Sequence, residues 1–211
     1  GVAHQIRNPL NTIHMISQAL GRNRELPEEV TVQAKHIRNE SGRIENIVQQ
    51  FLDFARPRDP VFEELDLGRL VRETVSVHQS ANANNEVEIQ VTAPDCQAEL
   101  DRQFVIEIVE NLVRNALDAL EGKGTIAVTL RCRRHMAELV VEDDGPGVPA
   151  DKREKIFDLY FTTKPSGSGL GLGLVSSMVT AQGGHFSLDL DSEGLGGARF
   201  LIQLPLRRST Q

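Results

Sequence analysis

Between Val30 and Ala55, apolar or small residues recur in alternating steps of four and three: Val30, Ala34, Ile37, Ser41, Ile44, Val48, Phe51 and Ala55. No step slips, and this spacing is the a/d seam of a coiled coil or helical bundle. The preceding segment carries a stripe at Val2, Ile6, Leu10, Ile13 and Leu20, and Gly21 to Pro27 supplies a polar turn between the two. One helical hairpin cannot bury both seams by itself, whereas two hairpins forming a four-helix bundle can. The pattern therefore predicts an α-helical hairpin over residues 1–56 that pairs as a homodimer. A hairpin packed inside a larger domain accounts for the periodicity equally well.

Arg56-Pro57-Arg58-Asp59-Pro60 stops the second helix and stiffens the connection, so residues 57–61 read as a linker. Residues 62–211 mix periods. Helices are expected over Leu67 to His78, from an Asp101 N-cap to about Leu120, and from about Leu174 to Gln182. Strands are expected at Val87 to Val91, Ala98 to Leu100, Thr125 to Arg131, Ala137 to Glu142, Phe186 to Leu190 and Ala198 to Leu204. Strands and helices without strict alternation predict an α+β two-layer sandwich with helices on one mixed sheet.

Charge divides along the same boundary. Residues 1–60 carry net +1 and the remainder net −8, within a total of −7. The acidic segment argues against a nucleic-acid partner, and the lack of Trp argues against a base-stacking platform. No apolar run approaches the roughly 20 residues that span a bilayer, so no membrane contact is expected of this segment. No signal peptide is visible, and a start three residues before His4 reads as an excised fragment. Cys96 and Cys132 lack metal-type spacing and are expected as free thiols in a reducing compartment.

Five short motifs carry chemistry. In His4-Gln5-Ile6-Arg7-Asn8-Pro9-Leu10, a helix sets His4, Asn8 and Asn11 on one face, with Ile6 turned away. Pro9 lacks an N–H and should bend the helix just past the imidazole. In Glu110-Asn111-Leu112-Val113-Arg114-Asn115-Ala116, two carboxamides one turn apart suit a hard cation such as Mg²⁺. Asp143-Asp144-Gly145-Pro146-Gly147 ends a strand with a carboxylate able to accept from an exocyclic amine such as that of adenine. Ile156 to Lys164 has apolar anchors and one cation, which suits a lid over phosphate. Gly167-Ser168-Gly169-Leu170-Gly171-Leu172-Gly173 precedes a helix and can aim N–H groups at phosphates. It opens no βαβ unit, and no Walker loop occurs. Taken singly, the first four also read as a solvent-facing histidine, a pair of surface amides, an acidic turn and an amphipathic loop.

In this order, and over essentially the whole chain, the motifs resemble the sensor histidine kinases of two-component systems, most closely the nitrogen-regulator-like class. His4 to Leu10 is similar to the H box, Asn111 to Ala116 to the N box, and Asp143 to Gly147 to the DxGxG box. Phe157 to Lys164 resembles the F box and Gly167 to Leu172 the GxGLGL box. Gly194 to Phe200, with Ile202-Gln203-Leu204-Pro205, resembles the closing strand signature.

The resemblance implies a Bergerat (GHKL-type) ATP-binding domain over residues 62–211 and a histidine phosphotransfer hairpin over residues 1–56. It implies ATP and Mg²⁺ as cofactors, a response regulator receiver domain as partner, and a cytoplasmic location. It casts His4 as phosphoacceptor and Asn115, with Asn111, as the Mg²⁺ ligands. Asp143 would read the adenine amine. Gly145, Gly147, Phe161, Thr163, Lys164, Gly167, Gly169, Leu170, Gly171 and Leu172 would shape the nucleotide loop and lid. Lys164 and Arg114 would offset phosphate charge, and Asn8 would orient water in a phosphatase reaction.

There are two departures. Gln5 stands where the family carries an acid able to take the imidazole proton, and an amide cannot act as a base. Asp118 stands where many relatives have Lys. Two other readings stay open: a nucleotide-binding dimeric scaffold or phosphatase-biased relative with weak kinase activity, and an ATPase of the gyrase or heat-shock-90 type.

Overall fold

In the computed structural model the chain is described except at residues 1, 24–25, 56–57, 83–85, 159, 163–168, 191–193 and 208–211. The side chains of residues 2–8, 46–47, 49–50 and 53–55 are likewise outside the description. The chain divides into two compact units, residues 1–58 and 59–211.

The first unit is a pair of packed helices, α1 (Val2–Arg22) and α2 (Glu28–Ala55). α1 continues through Pro9. Leu10, Ser17, Ala34 and Ser41 are buried between the helices, and the Ser41 hydroxyl donates to the Leu10 carbonyl at 3.2 Å. Alternate members of the heptad seam do the opposite: Val30, Ile37, Ile44 and Phe51 are 37–50% exposed. Within one hairpin the seam is thus shared between the partner helix and an open face.

The second unit is a mixed sheet covered by three helices. Strand β1 (Glu63–Asp66) pairs with β3 (Gln97–Leu100) as a small antiparallel ribbon. Strands β2 (Glu86–Thr92), β4 (Lys123–Arg133), β5 (Met136–Asp143), β6 (His185–Leu188) and β7 (Arg199–Pro205) form one sheet in the order β2-β4-β5-β7-β6. β2 runs parallel to β4 and every other neighbour is antiparallel. Helices α3 (Leu67–Ala81), α4 (Arg102–Leu120) and α5 (Gly171–Ala181) pack on it. Alternate strand residues, among them Ile126, Val128, Leu139, Val141, Phe200 and Ile202, meet Ile108, Leu112, Val175 and Val179 from the helices in one core. This is the expected helical hairpin followed by an α+β sandwich.

Asp101 caps α4 as its side-chain chemistry predicts, accepting from the Phe104 amide at 2.9 Å. Four local expectations need correction. β1 was not anticipated, because Glu63 to Asp66 lacks β-branched or aromatic residues and depends on its pairing with β3. α5 begins at Gly171, not near Leu174, so the last glycines of the motif are already helical. β6 stops at Leu188 instead of Leu190. Cys96 and Cys132 are not free: they form a disulfide with Cα atoms 6.5 Å apart, which a sequence separation of 36 conceals.

Candidate nucleotide site

The site grows from the C-terminal end of β5. Asp143 is 3% exposed, and its Oδ1 accepts from the amides of Gly145 (3.0 Å) and Ala198 (3.2 Å). Its own backbone pairs with the same partner segment: Asp143 N donates to Ala198 O, and Gly197 N donates to Asp143 O, both at 3.0 Å. A Cβ on Gly197 would lie 2.3 Å from Asp143 Oδ1, so only glycine lets the chain pass this close. Asp144 is exposed and turns away to accept from Thr125 N at 2.8 Å. Of the two adjacent acids, Asp143 is therefore the one held in a fixed buried orientation.

The asparagine pair lies on α4. Asn111 and Asn115 are both half-buried, and Asn111 Nδ2 donates to Glu107 O at 2.7 Å. That bond fixes which end of the amide is turned outward. A Cβ on Gly171 would stand 3.4 Å from Asn111 Oδ1 and 4.0 Å from Asn115 Nδ2. The first turn of α5 thus lies directly on the asparagine face. Among the described residues no group of three or more His, Cys, Asp or Glu could hold a metal ion. Carboxamide oxygens alone bind a hard cation weakly, so the donor set fits a Mg²⁺ that shares its coordination with nucleotide phosphates.

The lid motif joins the glycine motif through the backbone. Tyr160 N donates to Gly169 O at 2.9 Å, and a Cβ on Gly169, which has φ +68°, would meet the Tyr160 carbonyl carbon at 2.4 Å. At its base Phe157 meets Phe186 edge-on at 5.3 Å, and Phe186 stacks on Phe200 at 5.8 Å. Phe161 is half-buried with its amide donating to Asp158 O. Leu170 is buried and Leu172 packs against the core, so both anchor the loop. Gly147, at φ +70°, turns the chain beside Gly197. Gly145 sits so close that a Cβ there would reach 2.9 Å from Asp143 Oδ1.

Arg114 is exposed beside His78 of α3 and Glu110. Burial pushes the His78 imidazole below its ordinary value, against the pull of Glu110 and with the help of the Arg114 cation. Thr163, Lys164 and Gly167 lie outside the described residues. His4, Gln5 and Asn8 lie within the backbone of α1, and their side chains are outside the description. Sequence reasoning missed the individual role of Gly197. The spacing of the closing signature was visible, but its contact with a residue 54 positions earlier was not.

Two family descriptions match. The model of histidine kinase-, DNA gyrase B-, and HSP90-like ATPases covers residues 100–208, and that of the His Kinase A (phospho-acceptor) domain covers residues 1–60. The chain belongs to the sensor histidine kinases. Sensor histidine kinase ZraS of Escherichia coli O157:H7 is 34% identical over 211 residues, covering 98% of this chain and 45% of that protein. Signal transduction histidine-protein kinase AtoS of Escherichia coli K12 is 32% identical over 212 residues, covering 98% of this chain and 34% of that protein. The chain spans less than half the length of these curated relatives. The crystal structure of histidine kinase ThkA in complex with response regulator protein TrrA matches with TM-score 0.71 and 28% identity, over 97% of this chain and 60% of that one. Full-length ShkA in complex with AMPPNP shares the fold, at TM-score 0.83 and 24% identity, over 100% of this chain and 46% of that one.

Proposed function

We propose that this chain is the catalytic core of a dimeric protein-histidine kinase: ATP phosphorylates His4, and the phosphoryl group then passes to an aspartate of a response regulator. Residues 1–56 form the phosphotransfer hairpin, residues 57–61 the linker and residues 62–211 the ATP-binding domain. The observation that carries the reading is that α4 meets both halves of the site: the first turn of α5 at Gly171 lies on its Asn111–Asn115 face, and Gly145, whose amide bonds Asp143, lies against Ala119 one turn further on. The arrangement offers an acceptor for an adenine amine, oxygens for a cation and a helix N-terminus for phosphate.

In this reading Asp143 accepts from the adenine amine, and the N-terminal amides of α5 and Lys164 meet the phosphates. Asn111 and Asn115 would hold Mg²⁺, which neutralises phosphate charge when bound. A His4 ring nitrogen attacks the γ-phosphorus, the bond to the β–γ bridging oxygen breaks and ADP leaves. Gln5 cannot take the imidazole proton, which passes to solvent. Phosphoryl transfer rests mainly on positioning and electrostatics, so the reaction proceeds without a neighbouring base, at reduced rate.

The exposed seam of Val30, Ile37, Ile44 and Phe51, with Ile13, Ile16 and Leu20 of α1, supports pairing of two hairpins. Gln5 also favours a second reading, a phosphatase-biased relative in which Asn8 orients water toward the partner's phospho-aspartate. Among the described residues no helix is long and apolar enough to cross a membrane, and the acidic charge of residues 61–211 suits partners other than nucleic acid. A cytoplasmic place of action belongs to the same reading on the likeness to the sensor histidine kinases, not on either of these features.

The test is the rate of phosphate incorporation from ATP and Mg²⁺. The wild-type chain is expected to label, Gln5→Glu to label faster and Asn115→Ala not to label. A wild-type chain that binds ATP without labelling would leave only the scaffold or phosphatase role.

A further inference from the structure

One step from Asp143 along β5, and one step from Ala198 along β7, lies a second polar cluster. Glu142 and Arg199 are register partners, and Arg199 Nη1 donates to Glu142 Oε2 at 2.6 Å. Arg199 Nε donates to Asp189 Oδ2 at 2.9 Å, and Asp189 N donates back to Arg199 O at 2.8 Å. All three side chains are largely buried, at 17%, 13% and 17% exposure for Arg199, Glu142 and Asp189. The backbone at Gly194 lies on this cluster, since a Cβ there would stand 2.3 Å from Glu142 Oε2.

Burying three charges is a costly way to join β5, β7 and the end of β6, and apolar side chains of similar volume would hold them as firmly. What a planar, doubly bonded guanidinium adds is a fixed geometry. That geometry is passed on at once, because Ala198 precedes Arg199 and Glu142 precedes Asp143. The amides of Gly197 and Ala198, which bond Asp143 O and Oδ1, are thereby held in register.

We propose that Arg199 is a positioning residue for base recognition: bridging Glu142 and Asp189, it locks the Ala198 amide against Asp143 so that the carboxylate presents one orientation to the exocyclic amine of adenine. The proposal rests on the nucleotide-binding reading above. It makes Arg199 a determinant of base specificity without contact to the base.

The test compares binding of ADP and inosine diphosphate, which carries a carbonyl in place of the amine, by titration of the whole chain. The wild type is expected to prefer ADP by about tenfold or more, the worth of one good hydrogen bond to a charged group. Asp143→Asn should abolish the preference. Arg199→Ala should narrow it by about threefold or more while the thermal transition of the chain persists, and Arg199→Lys should restore part of it. Glu142→Gln, which keeps the acceptor but removes a charge, gives an intermediate narrowing and serves if Arg199→Ala fails to fold. An unchanged ratio in Arg199→Ala and Glu142→Gln, or equal weakening of both nucleotides, overturns the positioning role while Asp143→Asn still abolishes the preference. An ADP preference that survives Asp143→Asn overturns the adenine reading itself, and the proposal with it.

Discussion

Asp101 joins three segments of the ATP-binding unit, and its removal has a calculable cost. The side chain is 2% exposed; Oδ1 accepts from Phe104 N at 2.9 Å and Oδ2 from Val61 N at 2.6 Å, while the backbone amide donates to Gln182 Oε1 at 2.8 Å. Asp101→Ala removes an N-cap, which costs about 1 kcal/mol. It also removes a hydrogen bond to a charged group, for which the low end, about 1.5 kcal/mol, applies because the bond is only partly buried. The sum, about 2.5 kcal/mol, corresponds to a lowering of Tm by about 5–10 °C for a unit of this size. Asp101→Ser keeps a capping oxygen but cannot reach Val61 as well, so it should recover about 1 kcal/mol. Scanning calorimetry of the chain reads this directly, with the transition that ADP raises taken as that of the ATP-binding unit. A loss below about 1 kcal/mol in Asp101→Ala, or a serine variant no better than alanine, would refute the reasoning.

Three further outcomes are expected. Replacing Ile37 and Ile44 together by Glu puts charge on the exposed seam and should convert a dimer to a monomer in sedimentation; a wild-type monomer would contradict the bundle. The His78 imidazole is held below its ordinary 6.5, so the stability it contributes is present above that pH and declines as pH falls through it; His78→Gln should flatten this dependence in denaturation curves between about pH 7 and 5. Cys96→Ser opens a loop closed across 36 residues, so loop-closure entropy gives a loss of about 3–4 kcal/mol, matched by reductant on the wild type and absent from it if the thiols are free.

How far the fold was readable depended on whether the signal was local. The Asp101 cap, the α4 face of Asn111 and Asn115 and the strands around Thr125 to Arg131 and Ala137 to Glu142 each follow from a few consecutive residues, and the structure has these elements, the two strands extending a little further as β4 and β5. The heptad seam was equally legible, though not which of its members one hairpin would leave exposed. β1 was not, because Glu63 to Asp66 owes its conformation to a partner strand 31 to 37 residues away in sequence. The disulfide and the Gly197–Asp143 contact escaped for the same reason: topology, not spacing, brings those atoms together. The Arg199 cluster shows in the sequence only as three charges on different strand ends, with nothing to say that they meet. Arg114 was read toward phosphate from its place in the asparagine motif; its neighbourhood with His78 of α3 was not visible, because that too depends on which helices the topology sets side by side.

The central claim is that His4 receives the γ-phosphoryl group. The decisive measurement is incubation of the chain with γ-labelled ATP and Mg²⁺, beside His4→Ala and His14→Ala, with the label characterised by acid and base treatment and mapped by mass spectrometry. The account predicts an acid-labile, base-stable phosphate on His4, retained in His14→Ala and lost in His4→Ala. Label that survives His4→Ala, or a wild-type chain that binds ATP and stays unlabelled, would contradict it.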